Sequence, residues 1–279
     1  MEMPETTERP DGSEQSDAVS GLDVSIDSDV VSERWLFYGS LFVFVGYVAS
    51  QFAMLALVKY ASLRDWPELP RMFCVTLLPA FFMSLGVVSA FFLWGSGRFF
   101  SGVCGFRNWR FYYPLEGVAV EMGLFIPFLA LGAASFLLVK YARSFAPSAL
   151  SPFFKLEPPI KTVLMNVGWG GFAVVAFAAV FVAPVVEEIA FRRVIYSFTR
   201  TFLSPFGALV LTSAVFAGFH MSVVTFPVLF CLGAVLQLLV NHHKSVYPAM
   251  FYHAAHNACA MILLAAIKYL GLAEKLSST

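Results

Sequence analysis

Aspartate all but vanishes from this chain after its N-terminal tenth: beyond Asp29 only Asp65 remains. Two aspartates sharing a proton inside a membrane are thereby excluded. Charge of either sign is scarce, at 13% of 279 residues, about half the usual share of a soluble domain. The four cysteines, Cys74, Cys104, Cys231 and Cys259, show no CxxC spacing, so neither a disulfide framework nor a zinc-finger site is expected. Three of them sit in apolar runs, where a thiol behaves as a small hydrophobe. No HExxH helix and no GxSxG elbow occur, which removes the best-known zinc-protease and serine-hydrolase signatures; plentiful serines leave a Ser–His dyad open. The first residues lack the basic and apolar regions of a cleaved signal peptide. No internal repeat supports a transporter built from two halves.

What is present is hydrocarbon. Hydrophobic residues make up 59% of the chain and the mean hydropathy is +0.75, the composition of an all-α, polytopic helical membrane bundle. Apolar runs at 35–58, 72–94, 117–139, 162–186 and 246–267 each suffice to cross a bilayer. The run 203–240, 38 residues without Asp, Glu, Lys or Arg, is too long for one crossing and must turn back between His220 and Pro227. Seven or eight spans are expected. The zero net charge hides an asymmetry: ten of 18 acidic residues fall in the first 33 positions. Residues 1–33 have no aromatics and read as a disordered acidic tail, ahead of a membrane domain over 34–279. Residues 98–113 mix three arginines with aromatics, as interface anchors do, which argues against nucleic-acid binding. The loop 140–161 carries four basic residues and four prolines. Lys and Arg divide evenly between the two sides, so they assign no orientation.

The unusual stretch is 184–198, PVVEEIAFRRVIYSF, in which two glutamates and two arginines close an apolar run. Charges in hydrocarbon cost about 2.5–3.5 kcal/mol each on insertion scales, so they need partners. Glu188 precedes Arg192 by four residues, the favourable order for an ion pair on one helix face, while Glu187 points to a neighbouring face. Phe216 and His220, and His253 and Asn257, repeat the same spacing in two other apolar segments. Glu121 stands alone in the third span and reads as a snorkelling or paired carboxylate. His242 and His243 read as solvated loop residues, and His256 has no evident role. Pro184, one turn before Glu188, frees a backbone carbonyl and kinks its helix. Gly168, Gly170 and Gly171 allow close helix packing.

A glutamate beside neutral imidazoles can act as a general base on water, and a histidine and asparagine on one face can donate to an oxyanion. The same atoms, Glu187, His220 and His253, could instead ligate one divalent metal such as zinc. Both routes end in hydrolysis of an acyl bond, and the residues alone do not choose between them.

Taken together, Glu187-Glu188-x-x-x-Arg192, Phe216-x-x-x-His220 and His253-x-x-x-Asn257 resemble the three ordered motifs of the CAAX-protease and bacteriocin-processing (CPBP, or abortive-infection) family, over 184–257. The resemblance implies a multi-pass intramembrane endopeptidase that cuts a membrane-associated peptide or protein near the membrane surface, residing in the cell membrane if the source is bacterial. It implies Glu187 as the residue activating water with help from His220, His253 and Asn257 as oxyanion donors, and Glu188, Arg192 and Phe216 as supporting residues. The chain departs from the family at Arg193, where glycine is frequent, which bears on substrate preference. Beside this stand two other readings, a non-catalytic scaffold or immunity partner of the same fold and a proton-coupled transporter. Membrane lipid is a partner under all three.

Overall fold

The computed structural model describes residues 33–94, 104–145 and 167–270. Among them there are no strands, only helices: α1 (Glu33–Tyr60), α2 (Glu68–Trp94), α3 (Tyr113–Phe145), α4 (Trp169–Arg200), α5 (Pro205–Phe219), α6 (Phe226–His243) and α7 (Tyr247–Tyr269). Six are long and apolar enough to cross a membrane, and α5 is a shorter apolar helix. The protein is an integral, multi-pass membrane protein. Most of the expected 1–33 tail and of the proline-containing loop lies outside the described residues.

Helices in lipid gain little from hydrophobic sorting and pack by close approach at small residues. The crossing of α1 and α2 shows this, because a Cβ on Gly46 would lie 2.5 Å from the Phe82 carbonyl oxygen and one on Gly86 2.5 Å from that of Phe42. Gly117 of α3 abuts the backbone of Phe251 and Tyr252 in α7 in the same way, and Gly233 of α6 meets Ser213 of α5. Helix α4 is central, packing on α1, α2, α5, α6 and α7. Its first turn is capped from a distant part of the chain, Glu68 accepting hydrogen bonds from the backbone N–H groups of Gly168 (2.9 Å) and Gly171 (3.0 Å). A carboxylate there meets both the orphan donors and the positive end of the helix dipole. Helix α5 begins more conventionally, with the Ser204 hydroxyl accepting from Gly207 N–H and Pro205 in the first turn.

Two expectations need correction. The charges of 187–193 do not end their helix: α4 runs on to Arg200, and Glu188, Arg192 and Arg193 are buried inside the bundle. The continuation Val194, Ile195 and Tyr196 is itself buried and apolar, which keeps the helix in the core. His243 is not solvated either; its Nε2 donates to Glu116 Oε1 at 2.7 Å, tying the end of α6 to the start of α3. His242 is exposed, as expected.

The segment before α3 folds over the start of α7, with Phe106 stacked on Tyr247 and Trp109 against Tyr247 and Phe251. Gly105 adopts φ +73°, and a Cβ there would lie 2.7 Å from Arg193 Nε, so the stem of Arg193 is held against this segment. Beside it, burial pushes the Cys104 thiol up to about 11, against the opposing pull of Arg193, leaving a protonated and unreactive sulfur at neutral pH.

Candidate active site

Helix α4 is not a regular α-helix. It widens to π geometry at Ala178–Val182 and again at Glu188–Ile195. A π turn pairs an N–H with the carbonyl five residues earlier, and Pro184 has no N–H to offer Ala179. The Ala179 carbonyl is supplied instead from α7, where Asn257 Nδ2 donates to it at 2.7 Å. Insertion of a residue into the helical repeat also re-aims the side chains that follow, Glu187 and Glu188 among them.

The two carboxylates take different positions. Glu188 is fully buried, accepting from Arg192 Nε at 2.9 Å through one oxygen and from His253 Nδ1 at 3.0 Å through the other. The guanidinium of Arg192 lies over the Phe216 ring, 4.8 Å from its centroid, and Phe216 also packs edge-on to His220 (5.0 Å) and His253 (5.8 Å). One ring therefore spaces the arginine and both histidines. The side chain of Glu187, by contrast, is 22% exposed, and its Oε2 accepts no hydrogen bond from the described residues. His253 Nε2 lies 3.9 Å from this oxygen.

Glu187 borders a cavity of about 160 Å³ together with His220, Tyr47, Thr76, Met83 and Phe191. His220 stands at the C-terminal end of α5, where Met221 turns the chain with φ +52°. Its Nδ1 donates to the Phe216 carbonyl oxygen at 2.9 Å, which fixes the proton on that nitrogen and leaves Nε2 to act. The expected turn after His220 is thus the feature that places this imidazole at the mouth of the cavity.

Of the residues singled out in the sequence, Glu187 and His220 share the cavity, and His253 and Glu188 lie directly behind it. Asn257 has one of its two amide hydrogens committed to Ala179. A metal fits poorly: among the described residues no three His, Cys, Asp or Glu side chains converge to hold one. Sequence reasoning passed over Tyr47 and Thr76, whose only signal is a hydroxyl within an apolar run. It also passed over the pairing of Glu121 with His256, Nδ1 to Oε2 at 3.1 Å, with Glu121 2% exposed.

No curated protein and no solved structure matches this chain. A family model does, described as type II CAAX prenyl endopeptidase Rce1-like, over residues 169–259. That span begins at the first residue of α4 and takes in Glu187, Glu188, Arg192, Phe216, His220, His253 and Asn257. It leaves α1, α2 and α3 outside. From α4 to the middle of α7, therefore, this multi-pass membrane protein is similar to the Rce1-like type II CAAX prenyl endopeptidases.

Proposed function

We propose that the protein is an intramembrane endopeptidase of the CAAX-protease type that hydrolyses a peptide bond near the membrane surface with a water activated by Glu187. The observation carrying this reading is the division of labour between neighbours: Glu188 has both oxygens engaged by buried partners, whereas Glu187 faces the cavity with Oε2 unengaged.

Glu187 takes a proton from water as the water oxygen attacks the scissile carbonyl carbon, and the carbonyl π electrons move onto oxygen. His220 Nε2 accepts a hydrogen bond from the same water and orients it. His253 and the remaining N–H of Asn257 stabilise the oxyanion in a site where polar groups act in poor solvent and need no reorganisation. When the intermediate collapses, the C–N bond breaks, and the proton held by Glu187 passes to the leaving nitrogen. The products are a carboxylic acid and an amine, which exchange a proton to leave as carboxylate and ammonium. Glu188 accepts from His253 Nδ1, so that Nε2 faces Glu187, and Arg192 Nε holds the other oxygen of Glu188. The substrate is a membrane-associated peptide or protein.

The test is Glu187→Gln. The variant should fold and insert as the wild type does, and peptide cleavage in a purified, lipid-reconstituted assay should fall by about a thousandfold or more, the scale of losing a general acid–base group. Cleavage retained within tenfold would remove Glu187 as the base.

A further inference from the structure

The cavity that Glu187 and His220 share is only partly built by the family-matched segment. Its outer wall comes from α1 and α2, through Tyr47, Thr76, Pro79, Ala80 and Met83. Tyr47 is distinctive in this wall. Its hydroxyl donates to the Phe219 carbonyl oxygen at 2.5 Å, and its ring lies 4.3 Å from the Phe219 ring. Phe219 is the last residue of α5, immediately before His220.

The final carbonyls of a helix have no intrahelical donors. At the end of α5 two of them are satisfied by side chains, the Phe216 carbonyl by the ring of His220 itself and the Phe219 carbonyl by Tyr47. Beyond that point the chain reverses through the left-handed Met221. The imidazole is therefore held at a helix end, where fraying is easiest; the Phe219 ring packs on Phe44 and Phe191, and Tyr47 adds a hydrogen bond that ties the backbone of this end to α1. Gly46, next to Tyr47, is fixed against the Phe82 backbone at the α1–α2 crossing, so the tie runs to a rigid point.

We propose that Tyr47 is a positioning residue for His220: by anchoring the Phe219 carbonyl it fixes the end of α5 and aims the imidazole edge at the water that Glu187 activates. The proposal rests on the peptidase reading for its catalytic consequence, but the anchoring itself can be read without any activity. It also assigns a role in the site to a helix that the family model does not cover.

The experiment compares wild type with Tyr47→Phe, which keeps the ring and removes the hydroxyl, in the full chain reconstituted in lipid. Hydrogen exchange is followed at the amides of 219–222, and cleavage is followed as kcat and KM. Loss of one hydrogen bond of ordinary strength corresponds to about a fivefold change in an equilibrium, so exchange at these amides should rise by about fivefold, with no change in α6 or α7. In the same variant kcat should fall by about fivefold or more at unchanged KM, with the global unfolding temperature lowered by no more than about 4 °C. Tyr47→Leu, which also removes ring packing, should exceed both effects. Unchanged exchange at 219–222 overturns the anchoring, whatever becomes of activity. Raised exchange with wild-type kcat overturns the positioning role. If Glu187→Gln keeps its activity, the peptidase reading fails by itself, and the exchange data still decide whether Tyr47 holds α5.

Discussion

Consecutive residues on a helix point about 100° apart, so Glu187 and Glu188 cannot share an environment. Glu188 faces inward to Arg192 and His253 and is wholly buried, while Glu187 faces the cavity. An uncompensated buried charge is the costly case: removing one partner of a buried pair destabilises by about 3–5 kcal/mol. Glu188→Gln strands Arg192, whose other acceptor-side neighbour is the face of Phe216. Its unfolding temperature in detergent or bicelles should fall steeply, and cleavage should fall with it because His253 loses its orienting carboxylate. Glu187→Gln should leave unfolding close to wild type. Equal destabilisation by the two substitutions would contradict the assignment of base and partner.

At the scale of elements, α4 and the α1–α2 hairpin determine where Glu187, His220 and Tyr47 meet. Tyr47 lies one residue from the glycine crossing, so the separation of α1 and α2 sets its distance from Phe219. In Gly46→Val the new side chain meets the Phe82 carbonyl, 2.5 Å from where its Cβ must go, and backbone cannot yield as a flexible side chain can. The two helices should part by several tenths of an ångström or more. Cleavage should drop by about tenfold or more, as misplacement of groups around a reaction centre does, while the protein still inserts; activity within twofold of wild type would show that the crossing does not set the site. Most of the elements were legible in the sequence because each crossing is a run of apolar residues, and the break after His220 follows from a run too long for one helix. The continuation of α4 to Arg200 was not legible, because charges that normally mark an interface are here matched inside the bundle. Their partners, His253 for Glu188 and Gly105 for the stem of Arg193, come from segments far away in sequence. The i, i+4 spacings showed which site residues share a face. They did not show that Asn257 supplies a carbonyl left open by Pro184, or that Tyr47 joins the site from α1.

For the molecule as a whole, α7 is the element clamped from both sides. His253 and Asn257 bind α4, at Glu188 and the Ala179 carbonyl, and His256 binds α3 at Glu121. The last pair edges a separate apolar groove of about 390 Å³, away from Glu187 and His220. It thus holds α3, which carries none of the motif residues, to the helix that carries His253. A lone carboxylate in such surroundings is expensive to bury unless it is paired. His256→Ala removes the pairing and leaves Glu121 buried, whereas Glu121→Gln leaves a neutral amide that can still accept from the imidazole. His256→Ala should therefore lower stability by about 1–3 kcal/mol, the penalty for a buried polar group left unsatisfied, and Glu121→Gln by less. Because the groove lies outside the cavity that Glu187 and His220 line, kcat measured well below the unfolding transition should stay within about threefold of wild type in both variants, the allowance for an indirect displacement of His253. Thermal unfolding followed by intrinsic tryptophan fluorescence, with kcat taken at a temperature where each variant is fully folded, checks both parts. A His256→Ala protein of wild-type stability and abolished turnover would instead place this imidazole among the catalytic groups.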